Sequence, residues 1–160
     1  MINLDLVIRF LLRRPGTLGS RPAGWAASIL AATGAGFMVW SAVIHLMLWS
    51  QGYKDIATIG PLFLAQGVGT IVLALPIVAL RWLALLAAGA VTMVATAVGL
   101  LVTVYHGLFG YRESLAVPYA TLSLAVEFTA AFLLAVGAIV VAVAPRVRPA
   151  SNPSRMPTRT

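Results

Sequence analysis

The stretch "PLFLAQGVGTIVLALPIVALRWLALLAAGAVTMVATAVGLLVTVY", residues 61–105, decides the fold because it is apolar almost from end to end. One helix of this length would be far longer than the hydrocarbon layer of a bilayer, which is about 30 Å thick. It would also place Pro76 and Arg81 near its middle, where a charge is costly. The sequence therefore predicts two membrane-spanning helices, 61–80 and 82–105, joined by a tight turn at "RW".

Two further apolar stretches, 25–48 and 118–144, continue this pattern on both sides. A spanning helix needs roughly 20 apolar residues, and both stretches reach that length. Tryptophan and tyrosine rings anchor helices at the lipid headgroups, and such rings lie at or near the ends of the four stretches. They are Trp25, Trp49, Tyr53, Trp82, Tyr105 and Tyr119. The predicted fold is an all-α integral membrane four-helix bundle.

The composition excludes a soluble globular protein. Hydrophobic residues make up 61% of the chain and charged residues only 9%, and the mean hydropathy is +0.97. Soluble domains are about half apolar and about a quarter charged. The 160 residues have room for one membrane domain, predicted at 22–144. Cysteine is absent, which excludes disulfides, thiolate metal sites and thiol redox chemistry.

Lysine and arginine are retained on the cytoplasmic side of short loops, so their distribution predicts the orientation. Nine lie in the termini and in the turn at Arg81, against Lys54 and Arg112 in the other two loops. We therefore expect a multi-pass protein of the cell (plasma) membrane, a bacterial inner membrane, with both termini cytoplasmic. The formal charge of +7 then reflects topology and attraction to anionic lipid. The expected partner is the lipid bilayer and not nucleic acid, because no aromatic–basic constellation accompanies the charge.

The two ends of the chain carry different signals. In the N-terminal segment, 1–21, Asp5, Arg9 and Arg13 recur every four residues on a mostly apolar body. This pattern predicts an amphipathic helix that lies on the inner membrane surface and ends before the "PG" that follows it. The C-terminal segment, 145–160, is rich in proline and arginine and has no acid, so it is predicted to be a disordered basic cytoplasmic tail.

The two predicted outer loops share an order of residue types. "GYKDIATIGP", residues 52–61, and "GYRESLAVP", residues 110–118, both run from Gly-Tyr through a base and an acid to a proline. Glycine and proline have ordinary roles in turns and at helix starts, so shared turn chemistry explains the likeness. A duplicated helical hairpin also explains it, and would make the bundle two parallel repeats related by an axis along the membrane normal. The sequence leaves both interpretations open.

Each predicted span carries one polar residue in or near its outer half. They are His45, Gln66, His106 and Glu127. Polar side chains inside a membrane are costly and usually face the bundle interior, so these four are candidates for ligand binding or proton relay. Glu127 is expected to be protonated, or paired with a histidine or with Arg112 of the second outer loop, which makes Arg112 the fifth candidate.

Each candidate also has a structural explanation. The histidines would bond to backbone or water, Gln66 would join two helices, and Glu127 would close the bundle through a hydrogen bond or an ion pair. Small residues around the cluster are expected to let the helices approach closely. They are Gly34, Gly36, Gly67, Gly69, Gly89 and Gly99.

Three classes of function use such a cluster. The favoured one is a non-enzymatic binding module without a cofactor, or an accessory subunit of a larger membrane complex or a homo-oligomer, with a polar pocket in the outer leaflet. The second is a redox protein that binds haem b or a quinone through His45, His106 and Glu127. The third is a component of a proton-coupled transporter. An enzyme is disfavoured and no catalytic or metal residue is predicted, because the sequence shows no catalytic triad, phosphate loop or metal-ligand spacing.

The segments "HLMLWSQGYKDIATIGPLFL" and "LFGYRES" resemble those of uncharacterised small four-span membrane proteins of high-GC bacteria. A weaker similarity is to the DoxX-like superfamily, whose members are also four-helix membrane proteins. The resemblance covers mainly the first outer loop and its flanking helices. It implies a four-helix membrane fold, and it implies no activity and no functional residue.

Overall fold

A computed structural model describes residues 4–145 of the protein. Its helices are α1 (Leu4–Leu11), α2 (Arg21–Ser50), α3 (Ile59–Leu80), α4 (Leu83–Tyr105) and α5 (Ala120–Val143). Two single 3₁₀ turns, Pro15–Thr17 and Tyr53–Asp55, lie between them. Helices α2 to α5 are each long and apolar enough to cross a membrane. The protein is therefore an all-α, multi-pass membrane protein built as a four-helix bundle, as the sequence predicts.

The helix bounds differ from the predicted spans by no more than four residues. The largest difference is in α2, which begins at Arg21, where the Ser20 hydroxyl accepts a hydrogen bond from the backbone N–H of Ala23. Helix α5 begins at Ala120 and not at residue 118, because Tyr119 has the left-handed φ of 71°, which a right-handed helix cannot include. The predicted C-terminal tail lies outside the described residues except for residue 145.

The two ends of the bundle differ in kind. The loop end carries the connections 51–58 and 106–119, and the terminal end carries α1, the start of α2 and the turn between α3 and α4. In that turn Arg81 has a φ of 53° and Trp82 is extended, so the chain reverses within two residues. The tight turn predicted at "RW" is therefore present.

Helix α1 lies beside the terminal end. All of its residues are exposed, including the apolar Leu4 and Leu6 at 69% each. The backbone N–H of Leu83, at the start of α4, donates to the carbonyl oxygen of Arg13 (2.7 Å) and ties this segment to the bundle. An exposed, largely apolar helix at this place suits the membrane surface that the sequence predicts for it.

The four long helices form a ring with unequal sides. Helix α2 packs extensively against α3 and α5, and α4 packs extensively against α5. Helices α3 and α4 are joined by the tight turn and yet touch far less. We call the α2–α5 interface the closed side and the α3–α4 interface the open side. An axis relating two helical hairpins would make these sides equivalent, so the packing departs from the symmetry of a duplicated hairpin.

Small residues explain the closed side. At Gly34 of α2, a Cβ atom would lie 2.8 Å from Cγ of Leu134 on α5, so only glycine allows this approach. Two glycines are similarly tight at other interfaces: Gly67 of α3 lies against Leu46 of α2, and Gly89 of α4 lies against Ile77 of α3. The other three glycines expected at helix contacts are not there, because a Cβ atom would meet nothing within 4 Å at Gly36, Gly69 or Gly99.

Candidate functional site

The open side contains a cavity of about 440 Å³ at the loop end of the bundle. Small-molecule pockets in proteins span roughly 300–1,000 Å³. Leu62 of α3 and Val91 of α4 both line the cavity and are exposed, so it opens through the gap between these helices. His45 of α2 and Ser123 of α5 line its inner wall, and loop residues cover the loop end. Its position therefore follows directly from the sparse contact between α3 and α4.

The cavity walls are mostly apolar and aromatic. The Phe63 ring of α3 stacks on the Tyr53 ring, with centroids 4.6 Å apart, and lies 5.0 Å from the His45 ring. Other wall residues are aliphatic or carry a hydroxyl group, among them Ile59, Ala95, Leu100, Thr103, Leu108 and Val117. Such a surface favours a ligand with an apolar body and few polar atoms.

A carboxylate joins the two loops over the cavity. The Tyr53 hydroxyl, from the first loop, donates to Oε2 of Glu113 in the second loop (2.5 Å), and the Tyr111 hydroxyl donates to the same oxygen (2.8 Å). Oε1 of Glu113 accepts from the backbone N–H of Ser114 (3.0 Å). Tyr53, Tyr111 and Glu113 all line the cavity, and we call them the tyrosine clasp.

The clasp depends on both tyrosines keeping their protons. Burial raises the pKa of Tyr53 and of Tyr111, and the hydrogen bond to the Glu113 carboxylate raises the pKa of Tyr53 further. Both hydroxyls therefore remain donors in neutral solution. The repeated motif thus has a shared role, since its two tyrosines meet on the acid of the second copy, whereas Asp55 of the first copy is exposed.

Behind the cavity wall lies a buried polar cluster that joins α2 to α5. Glu127 is fully buried, and its Oε1 accepts from the hydroxyls of Ser41 (3.2 Å) and Ser123 (3.0 Å). Nδ1 of His45 donates to the carbonyl oxygen of Ser41 (2.9 Å), and Nε2 lies 3.9 Å from Oε1 of Glu127. His45 and Ser123 are among the lining residues and Glu127 is not. The Glu127 carboxyl therefore supports the wall from behind.

The structure brings three of the five candidate residues together. His45 and Gln66 line the cavity, and Glu127 lies behind His45. Nε2 of Gln66 and Oε2 of Glu127 are buried and have no hydrogen-bond partner within residues 4–145. Buried polar atoms are nearly always hydrogen-bonded to protein or water, so these two atoms mark places where a ligand or a water molecule would be stabilised.

The other two candidates lie outside the cavity. His106 is exposed at the end of α4, where Gly107 (φ 79°) turns the chain away. Arg112 is also exposed, and its guanidinium donates to the carbonyl oxygen of Tyr105 (2.7 Å). Of the alternatives expected for Glu127, pairing with Arg112 is not observed, because the arginine is held at the end of α4, and the histidine near that carboxyl is His45.

His45 and His106 do not form a ligand pair for haem. One is buried against Phe63 and Glu127, and the other is exposed and outside the cavity. A haem held by two histidines needs both imidazoles at one cavity, so these residues do not fit it. Across the described residues, no three His, Asp or Glu side chains are grouped in a way that would hold a metal ion.

Five residues of the site and its support were not identified from the sequence: Ser41, Tyr53, Tyr111, Glu113 and Ser123. Signals for them exist. The clasp residues stand at matching places in the two loop motifs, and each serine lies four residues before a candidate residue, on the same face of its helix. A polar pair at that spacing in an apolar helix indicates a shared hydrogen-bond cluster.

Comparisons of the chain with protein-family models, with curated proteins and with solved structures found no match. The resemblance to small four-span membrane proteins of high-GC bacteria and the weaker similarity to the DoxX-like superfamily therefore stay predictions. The functional proposal below therefore rests on the cavity and on the polar groups around it.

Proposed function

We propose that the protein is a membrane binding module that holds an amphipathic, lipid-soluble molecule in the cavity of the open side. The observation that supports this most strongly is the cavity itself. It has mostly apolar walls, it opens between two spanning helices, and a buried amide nitrogen without a partner lies in its wall. A molecule dissolved in the bilayer would enter laterally, without first passing through water.

The orientation of the protein adds to this proposal. Arginine is concentrated at the terminal end, which favours a cytoplasmic position for that end in the plasma membrane of a bacterium. The loop end and the cavity then lie in the outer leaflet, with the tyrosine clasp at the outer surface. A module of this kind would act alone, as a homo-oligomer, or as an accessory subunit that holds a lipid-soluble molecule for a larger membrane complex.

Gln66 indicates what polar atom the ligand carries. Its Nε2 is a hydrogen-bond donor, is buried, and has no partner within the described residues. Leaving such a donor unpaired costs about 1–3 kcal/mol, so a ligand that brings an acceptor gains much of that free energy. We therefore expect a carbonyl or ether oxygen on the ligand near Gln66, and an apolar chain that extends past Leu100 toward the gap at Val91.

A quinone is the second candidate ligand, and a specific observation favours it over haem. The cavity offers the Phe63 ring for stacking, and the amide nitrogen of Gln66 as a hydrogen-bond donor to a ring oxygen. A quinone also combines carbonyl oxygens with an apolar tail. His106, which the redox hypothesis required, lies outside the cavity and has no part in this version.

A proton-coupled transporter receives less support. On the terminal side of the Glu127 cluster, the helices pack through a layer of fully buried apolar side chains. They are Met38, Ile77, Leu86, Met93 and Leu134. Transport of protons needs a polar or hydrated path across the membrane, and this layer interrupts one. The arrangement supports binding from one leaflet.

The proposal is tested by native mass spectrometry of the protein released from its own membranes, followed by identification of the bound molecule. Gly99 lines the cavity and a Cβ atom there would meet nothing within 4 Å, so we expect the side chain of Gly99→Leu to take up cavity space. Gly36→Leu is the matched control, because Gly36 also has open space and lies outside the cavity. We expect Gly99→Leu to lower occupancy at least about tenfold, which is about 1.4 kcal/mol, and Gly36→Leu to leave it unchanged.

Single substitutions then separate the site from its surroundings. We expect Gln66→Leu to weaken binding about tenfold by removing the donor. His106→Ala and Arg112→Gln should change it less than about twofold, because neither side chain lines the cavity. An unchanged occupancy in Gly99→Leu, or an equal loss in Gly36→Leu, would reject the proposed site. The mass of the released molecule distinguishes a quinone from a phospholipid or a fatty acyl compound.

A further inference from the structure

A second cavity lies at the terminal end and differs from the first in its chemistry. Its volume is about 340 Å³, and its lining includes Ser20, Arg21, Trp25, Ser28 and Arg81. None of the described residues that line it is acidic. Within residues 4–145, two guanidinium groups from distant parts of the chain therefore border one small space without a carboxylate in its lining.

The two arginines are positioned by the fold. Arg21 is the first residue of α2, and Arg81 stands in the turn between α3 and α4 with a φ of 53°. Arg81 is held in place because Nε donates to the carbonyl oxygen of Val78 (3.0 Å) and Nη1 donates to the hydroxyl of Ser28 (3.3 Å). A guanidinium fixed in this way retains further N–H groups for the oxygens of an anion, and it loses little side-chain entropy on binding.

The surroundings place this cavity at the level of lipid headgroups. Trp25 borders it and is 71% exposed, as is typical of a ring at the membrane interface. Helix α1 lies at the same end of the bundle and exposes Leu4 and Leu6. The edge of the hydrocarbon layer would shield these two side chains from water. Ile29, one turn beyond Trp25 on α2, is also exposed, at 60%, and offers a path for an acyl chain.

We infer that this second cavity binds the phosphate headgroup of an anionic phospholipid, independently of the ligand on the open side. Arg21 and Arg81 contact the phosphodiester, the Ser20 and Ser28 hydroxyls lie within the same lining, and the acyl chains run along the exposed face of α2. A zwitterionic lipid is disfavoured, because its ammonium group would approach the same two arginines. The site therefore selects phosphatidylglycerol-like headgroups.

The test is native mass spectrometry of the full chain in nanodiscs with equal amounts of phosphatidylglycerol and phosphatidylcholine. We expect the wild-type protein to retain phosphatidylglycerol in at least about tenfold excess over phosphatidylcholine. The double variant Arg21→Gln with Arg81→Asn should lose this preference. Asparagine is used because it tolerates the left-handed backbone at this turn. Arg112→Gln removes one charge at the opposite end and should retain the preference.

Three results would overturn the inference. The first is a double variant that stays folded, as judged by its thermal unfolding, and keeps the phosphatidylglycerol preference. The second is that Arg112→Gln loses the phosphatidylglycerol preference as fully as the double variant does. That result would indicate attraction of the lipid to the overall charge and no defined site. The third is displacement of the lipid by inorganic phosphate alone, which would identify free phosphate as the ligand. Occupancy of the open-side cavity by its own ligand is expected to be unchanged in the double variant.

Discussion

The closed side and the open side are built from similarly apolar helices, yet one is tightly packed and the other contains a cavity. On the closed side, Gly34 and small buried residues such as Ala130 let α2 and α5 meet, and Glu127 bonds across the interface. On the open side, Phe63 and its aliphatic neighbours line a cavity. Gly99 of α4 is small enough to allow close approach, yet no neighbouring helix contacts it there. The helices of the two sides are similar in hydrophobicity, so hydrophobicity does not explain the difference.

The comparison shows how a bundle of apolar helices leaves a cavity between two of its members. Lipid tails are as apolar as leucine, so helices associate in a membrane through close packing and hydrogen bonds more than through burial of apolar surface. The closed side has both, and α3 and α4 have little of either toward the loop end. The tight turn at Arg81 holds those two helices together at the terminal end, and the gap between them at the other end is available to a ligand.

We expect the largest loss of stability when the close packing of the closed side is disrupted. Gly34→Val adds a β-branched side chain where a Cβ atom alone would lie 2.8 Å from Leu134. Overpacking typically costs about 1–3 kcal/mol, and we expect about 3 kcal/mol here because both Cγ and Cδ2 of Leu134 would lie within 2.9 Å of the added Cβ atom. Gly36→Val, on the same helix with open space, should cost less than about 0.5 kcal/mol. Unfolding in mixed micelles measures both, and equal losses would show that the closed side is not held by close approach at Gly34.

A smaller effect is expected from the hydrogen bonds across the closed side. Glu127→Ala leaves the hydroxyls of Ser41 and Ser123 without their acceptor and opens a cavity, for a loss of about 2 kcal/mol. Glu127→Gln keeps an oxygen acceptor and should cost less than about 1 kcal/mol. If the two variants lost the same free energy of unfolding, the acceptor role of this side chain would be wrong. A loss of ligand in Glu127→Gln with stability preserved would instead give the carboxyl a direct part in binding.

The smallest effect on stability is expected at the tyrosine clasp, and it depends on pH. The folded pKa values of Tyr53 and Tyr111 are raised above the usual value of about 10, so the folded state holds protons that the unfolded state releases. The contribution of the clasp is therefore fully present below about pH 10 and is lost as the pH rises through the folded pKa values.

Ultraviolet absorbance of tyrosinate measures this directly. Two tyrosines should ionise late in the wild-type protein, and Tyr53→Phe with Tyr111→Phe should abolish the late phase. The double variant should also show a weaker decline of stability above about pH 10. Early ionisation of all tyrosines in the wild-type protein would mean that the clasp does not form in solution.

Much of the fold follows from the sequence because length and hydropathy determine membrane spans. Two costs in lipid, that of a charge and that of an unpaired backbone group, are enough to predict the four spans and the tight turn at "RW". They also predict that Glu127 faces the bundle interior. The face that each helix turns inward was harder to predict. When a helix is apolar all round, hydrophobic periodicity does not distinguish a lipid-facing glycine such as Gly36 from an interface glycine such as Gly34.

The candidate site was predictable in part for a related reason. His45, Gln66 and Glu127 lie within spans, where the cost of polarity forces them inward, and all three lie at or behind the cavity wall. His106 and Arg112 lie beyond the end of α4, where water and lipid headgroups satisfy polar groups without any site. Their direction depends on the loop conformation, which neither composition nor spacing determines.

Photo-crosslinking tests the central claim, that a lipid-soluble molecule occupies the gap between α3 and α4, most directly. A lipid carrying a diazirine in its acyl chain is titrated into the purified protein from below to above one equivalent, and the adducts are mapped by peptide mass spectrometry. We expect saturable adducts at Phe63 and Leu100, which line the cavity, and their loss in Gly99→Leu. Adducts spread evenly over lipid-facing residues such as Val39 and Phe132, unchanged in Gly99→Leu, would contradict the account.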